Sequence, residues 1–230
     1  GKLFEISQRN VKKDVTQINP VIKDAMEMLQ KAALQKEGLS GLRTGFEGLD
    51  KMTSGWQNSD LIIIAARPAM GKTAFVLSMA KNMAVNFNTP VALFSLEMSN
   101  VQLVNRLIVN VCEIPGEKIK SGRLESYEWE QLDFKIKELY DAPIFVDDTP
   151  SLSVFELRTK ARRLVREHGI KCIIIDYLQL MNASGMNFGS REQEVSTISR
   201  SLKGLAKELN IPIIALSQLN RGVENREGEE

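Results

Sequence analysis

The chain has 230 residues, with 30 Lys and Arg against 29 Asp and Glu and a formal net charge of +1. Any surface for a polyanion must therefore be a local basic patch or be built from several copies around a shared axis. Its 43% hydrophobic and 26% charged residues are those of a globular chain able to bury its own core, one generous α/β domain or at most two. No apolar run approaches the ~18 residues of a membrane span and no signal peptide opens the chain, so the expected compartment is cytoplasmic.

Residues 1–40 are polar with short helical patterns, first Leu3, Phe4 and Ile6, then Val21, Ile22, Ala25, Met26, Met28, Leu29, Ala32 and Ala33. They read as a linker carrying an amphipathic helix, and the start at Gly1 rather than Met reads as a fragment boundary. From Gly41 onward β and α patterns alternate. Strands are expected near 61–66, 91–96, 143–147, 171–176 and 211–217, with helices at 73–86, 100–111, 127–139, 154–167 and 191–209. Ser99 with Gln102, Ser153 with Glu156 and Ser190 with Gln193 have the spacing of capping boxes at three helix starts. The strands are continuous apolar runs, which argues burial on both faces and a largely parallel sheet flanked by helices. Cys112 and Cys172 fall in a helical and a strand pattern, far apart, and read as small core residues. Residues 222–230 cannot form a core and read as a mobile polar tail.

The most informative stretch is LIIIAARPAMGKT at 61–73, a strand that breaks into a loop ending in Gly71, Lys72 and Thr73. In a phosphate-binding loop the backbone amides and a helix N-terminus surround the phosphates, the Lys reaches the β/γ-phosphates and the hydroxyl holds Mg²⁺. Ala66 occupies the place of the motif's first Gly, and the candidate nucleotide loop is Ala66, Arg67, Pro68, Ala69, Met70, Gly71, Lys72 and Thr73. Asp176 ends the apolar run 171–176, where such proteins place the acid of the Mg²⁺ shell; capping a turn is the alternative. Tyr177 follows it, so a catalytic acid must come from elsewhere. Glu97, at the end of the next strand, can polarise the attacking water or simply favour the following helix dipole. Gln218 ends the last strand and can hydrogen-bond a γ-phosphate or face solvent.

These strings resemble the C-terminal motor domain of bacterial replicative DNA helicases, the DnaB family of the RecA-like superfamily. The similarity is carried by GLRTGFEGLDKMTSGW at 41–56, LIIIAARPAMGKT at 61–73, LFSLEMS at 93–99, IIIDYLQLM at 173–181 and SREQEVSTISRSLKGLAKELNIPIIALSQLNR at 190–221. It implies a RecA-like P-loop NTPase core over 41–221, with Ala66 usual for the family and residues 1–35 similar to its linker. The implied activity is ATP- and Mg²⁺-dependent 5′–3′ translocation on single-stranded DNA by a homohexamer that unwinds duplex, with primase and a helicase loader as partners. Lys72, Gln218 and Glu97 take the catalytic roles, Thr73 and Asp176 the metal. An arginine finger from the neighbouring subunit and a DNA loop are expected C-terminal to Arg221, so the core reads as truncated. Residues 182–190 fit a further DNA-facing loop, whereas Arg158, Arg162, Arg163 and Arg166 read as a solvated or inter-subunit face. Two rivals stay open: another RecA-like ATPase of the recombination-mediator or clock type, and a non-catalytic helicase paralogue acting as a binding module.

Overall fold

A computed structural model describes residues 15–35, 39–67, 71–183 and 187–219. Two compact units divide the chain, Gly1–Ser40 and Gly41–Glu230. In the first, α1 (Ile18–Leu34) repeats apolar residues at helical spacing, and Ile18, Ile22, Met26 and Leu29 are all exposed. Leu3, Phe4 and Ile6, and the expected tail at 222–230, lie outside the described residues.

In the second unit α2 (Glu47–Thr53) precedes β1 (Leu61–Ala66). There follow α3 (Lys72–Lys81), widening to a π-type turn over Asn82–Asn86, β2 (Val91–Ser95) and α4 (Asn100–Cys112). Three short helices, α5 (Gly116–Ser121), α6 (Ser126–Lys135) and α7 (Lys137–Tyr140), lead to β3 (Ile144–Asp147). Then come α8 (Val154–His168), β4 (Cys172–Asp176), a 3₁₀ turn at Leu178–Leu180, α9 (Arg191–Leu209) and β5 (Ile213–Gln218). The five strands form one sheet in the order β1-β5-β4-β2-β3, every pairing parallel. Each strand therefore ends on the same edge, and the chain moves outward from β1 to β3 before returning through β4 and β5, the topology whose carboxyl edge takes ligands.

Alternation along the strands feeds two cores. Ile173 and Ile175 of β4 pack with Leu157, Ala161, Ile198, Leu202 and Leu205 of α8 and α9. Cys172 and Ile174 pack on the other face with Val76, Leu77, Met79, Leu103 and Leu107 of α3 and α4. Ahead of β1, the buried Asp50 carboxylate accepts from Thr44 N at 3.0 Å, Thr44 Oγ1 at 2.7 Å and Gly45 N at 3.3 Å, so the loop before β1 is tied by charge-assisted bonds.

Several boundaries differ from the sequence expectation for identifiable reasons. The last strand starts at Ile213, not 211, because Pro212 has no N–H to give the ladder. β1 is not buried on both faces: Ile62 and Ile64 pack inward, but Ile63 is 45% exposed because β1 is an edge strand. The helix expected over 127–139 is two helices, α6 and α7, and α2 and α5 are too short for periodicity to reveal. Of the three expected capping boxes only Ser99 with Gln102 is reciprocal. Ser153 and Ser190 accept from Glu156 N and Gln193 N, while Gln193 Oε1 accepts from Gly189 N instead.

Candidate functional site

Helix α3 is preceded by Gly71, whose φ of 76° lies in the left-handed region. A Cβ there would meet nothing within 4 Å, so the demand for glycine is one of backbone conformation rather than space. No side chain caps this helix, and Gly71 O accepts from Phe75 N at 2.9 Å. The amides of the first turn are thus aligned at a helix N-terminus with no side-chain acceptor, a ready anion site.

Across from it, β4 delivers Asp176, 2% exposed, at the carboxyl edge. Thr73 Oγ1 donates to Asp176 Oδ2 at 2.9 Å, joining the first turn of α3 to the end of β4. Among the described residues Asp176 Oδ1 and Lys72 Nζ are buried without hydrogen-bond partners. The ammonium sits 4.2 Å from the centroid of the Tyr177 ring, a cation–π contact. Burial pushes the Asp176 carboxyl above the ordinary carboxylate range and the Glu97 charge adds to this; the Thr73 hydrogen bond and the charges of Lys72 and Arg106 oppose it. Burial likewise raises the Tyr177 phenol, reinforced by the charges of Glu97 and Asp176.

An orphaned carboxylate oxygen beside a hydroxyl is a pair of hard oxygen donors, which fits Mg²⁺. Among the described residues no group of three or more His, Cys, Asp or Glu could hold a metal unaided. That also suits Mg²⁺, which takes one or two protein oxygens and completes its shell with substrate phosphates and water.

Glu97, Met98, Arg106 and Gln218 line the remaining walls of the cavity, about 380 Å³, that Gly71, Lys72 and Thr73 open into. Exposed Glu97 precedes the N-cap Ser99 by two residues; the first turn of α4 is capped by Ser99 and by Asp148, whose Oδ2 accepts from Asn100 N at 3.0 Å. Arg106, two turns into α4, belongs to this cavity and was missed from sequence. The signal available was a cation beside the apolar stripe of Leu103 and Leu107, on the helix that follows Glu97.

Six of the expected residues thus converge: Gly71, Lys72, Thr73, Glu97 and Gln218 around the cavity, with Asp176 bonded to Thr73. Ala66 pairs with Gln218 in the sheet, and exposed Arg67 is not among the lining residues. Pro68, Ala69 and Met70 lie outside the described residues, as do 184–186 of the expected loop at 182–190. The arginine face of α8 is not part of the site: Arg162 pairs with Glu208 at 2.6 Å, and Arg166 lies 3.9 Å from Glu167.

Comparison with known proteins agrees with this geometry. The family model described as the DnaB-like helicase C-terminal domain matches residues 41–230. The chain is 46% identical to a replicative DNA helicase DnaB of Geobacillus stearothermophilus, over 98% of this chain and 50% of the relative. It is 48% identical to one of Nostoc sp., over 98% of this chain and 25% of the relative. The chain therefore spans half of the first relative and a quarter of the second. A solved ATPase domain, 38% identical, superposes with a TM-score of 0.85 over 94% of this chain and 76% of its own. A DnaB-like replicative helicase described with its interactions with primase, 37% identical, gives 0.79 over 100% and 54%.

Proposed function

The chain belongs to the DnaB-like helicase C-terminal domain family, and on that premise we propose that it is the ATP-hydrolysing motor of a replicative DNA helicase. In this reading the protein moves 5′ to 3′ on single-stranded DNA as a homohexamer and meets primase and a loader as partners. Residues 1–40 act as the linker that precedes the motor core. The observation that carries the reading is the meeting of the α3 N-terminus, Lys72, the Thr73–Asp176 pair and Glu97 at one carboxyl edge of a parallel sheet.

The division of labour follows from the chemistry of each group. The amides from Gly71 onward and the Lys72 ammonium hold the phosphates, and Lys72 sits where charge accumulates as the terminal phosphoryl leaves. Thr73 and Asp176 hold Mg²⁺, which when bound neutralises phosphate charge. Glu97 orients water and accepts its proton, as an exposed carboxylate on the cavity wall can. Arg106 offers a fixed positive charge on that wall, and Gln218 a carboxamide for the terminal phosphate. Retention of both Lys72 and Glu97 weighs against a purely binding role.

The test is ATP hydrolysis by the intact protein with and without single-stranded DNA, beside strand separation of a forked duplex. Stimulated turnover and unwinding are expected. ATPase activity indifferent to DNA would favour a different RecA-like ATPase, and absence of turnover would favour the binding module.

A further inference from the structure

β5 runs past its neighbour. Its last pairing with β4 is Ile175 with Ala215, whereas pairing with β1 continues through Ala65 with Ser217 and Ala66 with Gln218. At Ser217 and Gln218 the strand is thus supported on one side by β1, and on the other β4 has already turned away into the 3₁₀ turn. Gln179, the middle residue of that turn, supplies the missing rung. Its Nε2 donates to Ser217 Oγ at 2.8 Å and to Gln218 O at 3.2 Å, while its Oε1 accepts from Gln218 N at 3.2 Å. A main-chain N–H can only donate and a carbonyl only accept, so these partners fix which end of the carboxamide is oxygen. The turn is held in its own right: Arg191, the first residue of α9, donates through one guanidinium nitrogen to Gln179 O and, at 3.0 Å, to Met181 O. The same side chain is ion-paired with Glu194.

We infer that Gln179 is the positioning residue for Gln218, setting the plane of its peptide and so the direction in which its side chain meets the cavity, with Arg191 holding Gln179 in turn. This deepens the proposed ATPase reading and rests on it, since it takes Gln218 as the residue facing the terminal phosphate. Strand ends without a partner on one side fray. A frayed Gln218 would leave Gly71, Lys72 and Thr73 in place, so binding survives while alignment is lost. A misplacement of about 1 Å at such a residue costs up to roughly 100-fold in rate.

The experiment compares Gln179→Ala, Gln179→Glu, Arg191→Ala, Gln218→Ala and the Gln179→Ala/Gln218→Ala double variant in the intact protein. Steady-state ATPase kinetics, binding of a fluorescent ATP analogue and melting temperature are measured for each. Gln179→Ala is expected to lower kcat roughly 10- to 100-fold, with KM and analogue affinity within about threefold of the parent. The double variant should be no slower than Gln218→Ala alone, because one residue acts through the other. Gln179→Glu keeps the acceptor for Gln218 N but sets a carboxylate oxygen against Gln218 O, where Nε2 donated, so its kcat should fall at least as far as that of Gln179→Ala. Should Gln179→Ala fail to fold, Gln179→Glu carries the same comparison. Arg191→Ala should shift kcat in the same direction by less. Parental kcat in Gln179→Ala, or losses that multiply in the double variant, overturn the inference, as does a lower melting temperature with unchanged kcat. Lys72→Ala separates the two readings. If it is inactive while Gln179→Ala is parental, only this inference fails; if it hydrolyses ATP normally, the assignment of this cavity as the ATPase site fails first.

Discussion

The two sides of the cavity are built differently. On one, Lys72, Thr73 and Asp176 are buried or interlocked, with Thr73 bonded to Asp176 and Lys72 lodged against Tyr177. On the other, Glu97 is exposed, and Gln218 ends β5 in register with Ala66, its main-chain N–H and C=O bonded to the Gln179 carboxamide. In the proposed reading the first side is a preorganised clasp for phosphate and metal, and the second presents groups that need a substrate to organise them. Binding and turnover should therefore separate when the two sides are altered.

The largest effect is expected at the clasp. Lys72→Ala removes the cation from the position where phosphoryl charge gathers and should lower ATP turnover by about 10³-fold or more. Parental ATPase rates in this variant would mean that the clasp is not a phosphate site. On the opposite wall Glu97→Gln, nearly isosteric, should leave affinity for Mg²⁺ and an ATP analogue close to the parent while lowering kcat by roughly 100-fold or more. Weakened binding with unchanged turnover would put Glu97 on the binding side and erase the contrast. Comparing Kd from analogue titration with kcat from steady state decides each case.

The clasp was legible in the sequence because it is local. Gly71, Lys72 and Thr73 are contiguous at a strand-to-helix turn, and Asp176 closes an apolar run that reads as a strand by itself. The other wall was half legible: Gln218 ends β5 and Glu97 follows β2 by two residues, but Arg106 depends on how α4 is rotated, which periodicity gives only loosely. Gln179 was hidden because its role exists only once β5 outruns β4, a fact of register between distant segments. The openness of β1 was hidden for a related reason. LIIIAA and the CIII of β4 are both unbroken apolar runs, and nothing within either says that one lies at the sheet's edge and the other at its centre.

The smallest effect is opposite in sign to the others. Asp176 is buried with one oxygen unpartnered, and burial raises its carboxyl above the ordinary range, about 4. The native state then holds this proton to a higher pH than the unfolded chain does, so it binds more protons across the window between the two values. Stability contributed at this position falls as pH rises through that window and stays lower above it. Asp176→Asn removes the buried charge and the titration together. Without divalent ion or nucleotide, the variant should be more stable than the parent near neutral pH, by about 1 kcal/mol, and the gap should close as pH falls to about 4. Adding Mg²⁺ with an ATP analogue should reverse the order, because the parent gains binding energy that the variant cannot. Thermal melts across pH, with and without Mg²⁺ and analogue, read both halves. A variant less stable than the parent at neutral pH, or a gap that does not change with pH, would mean that Asp176 belongs to the fold's own support and is not a carboxylate held at a cost for the metal.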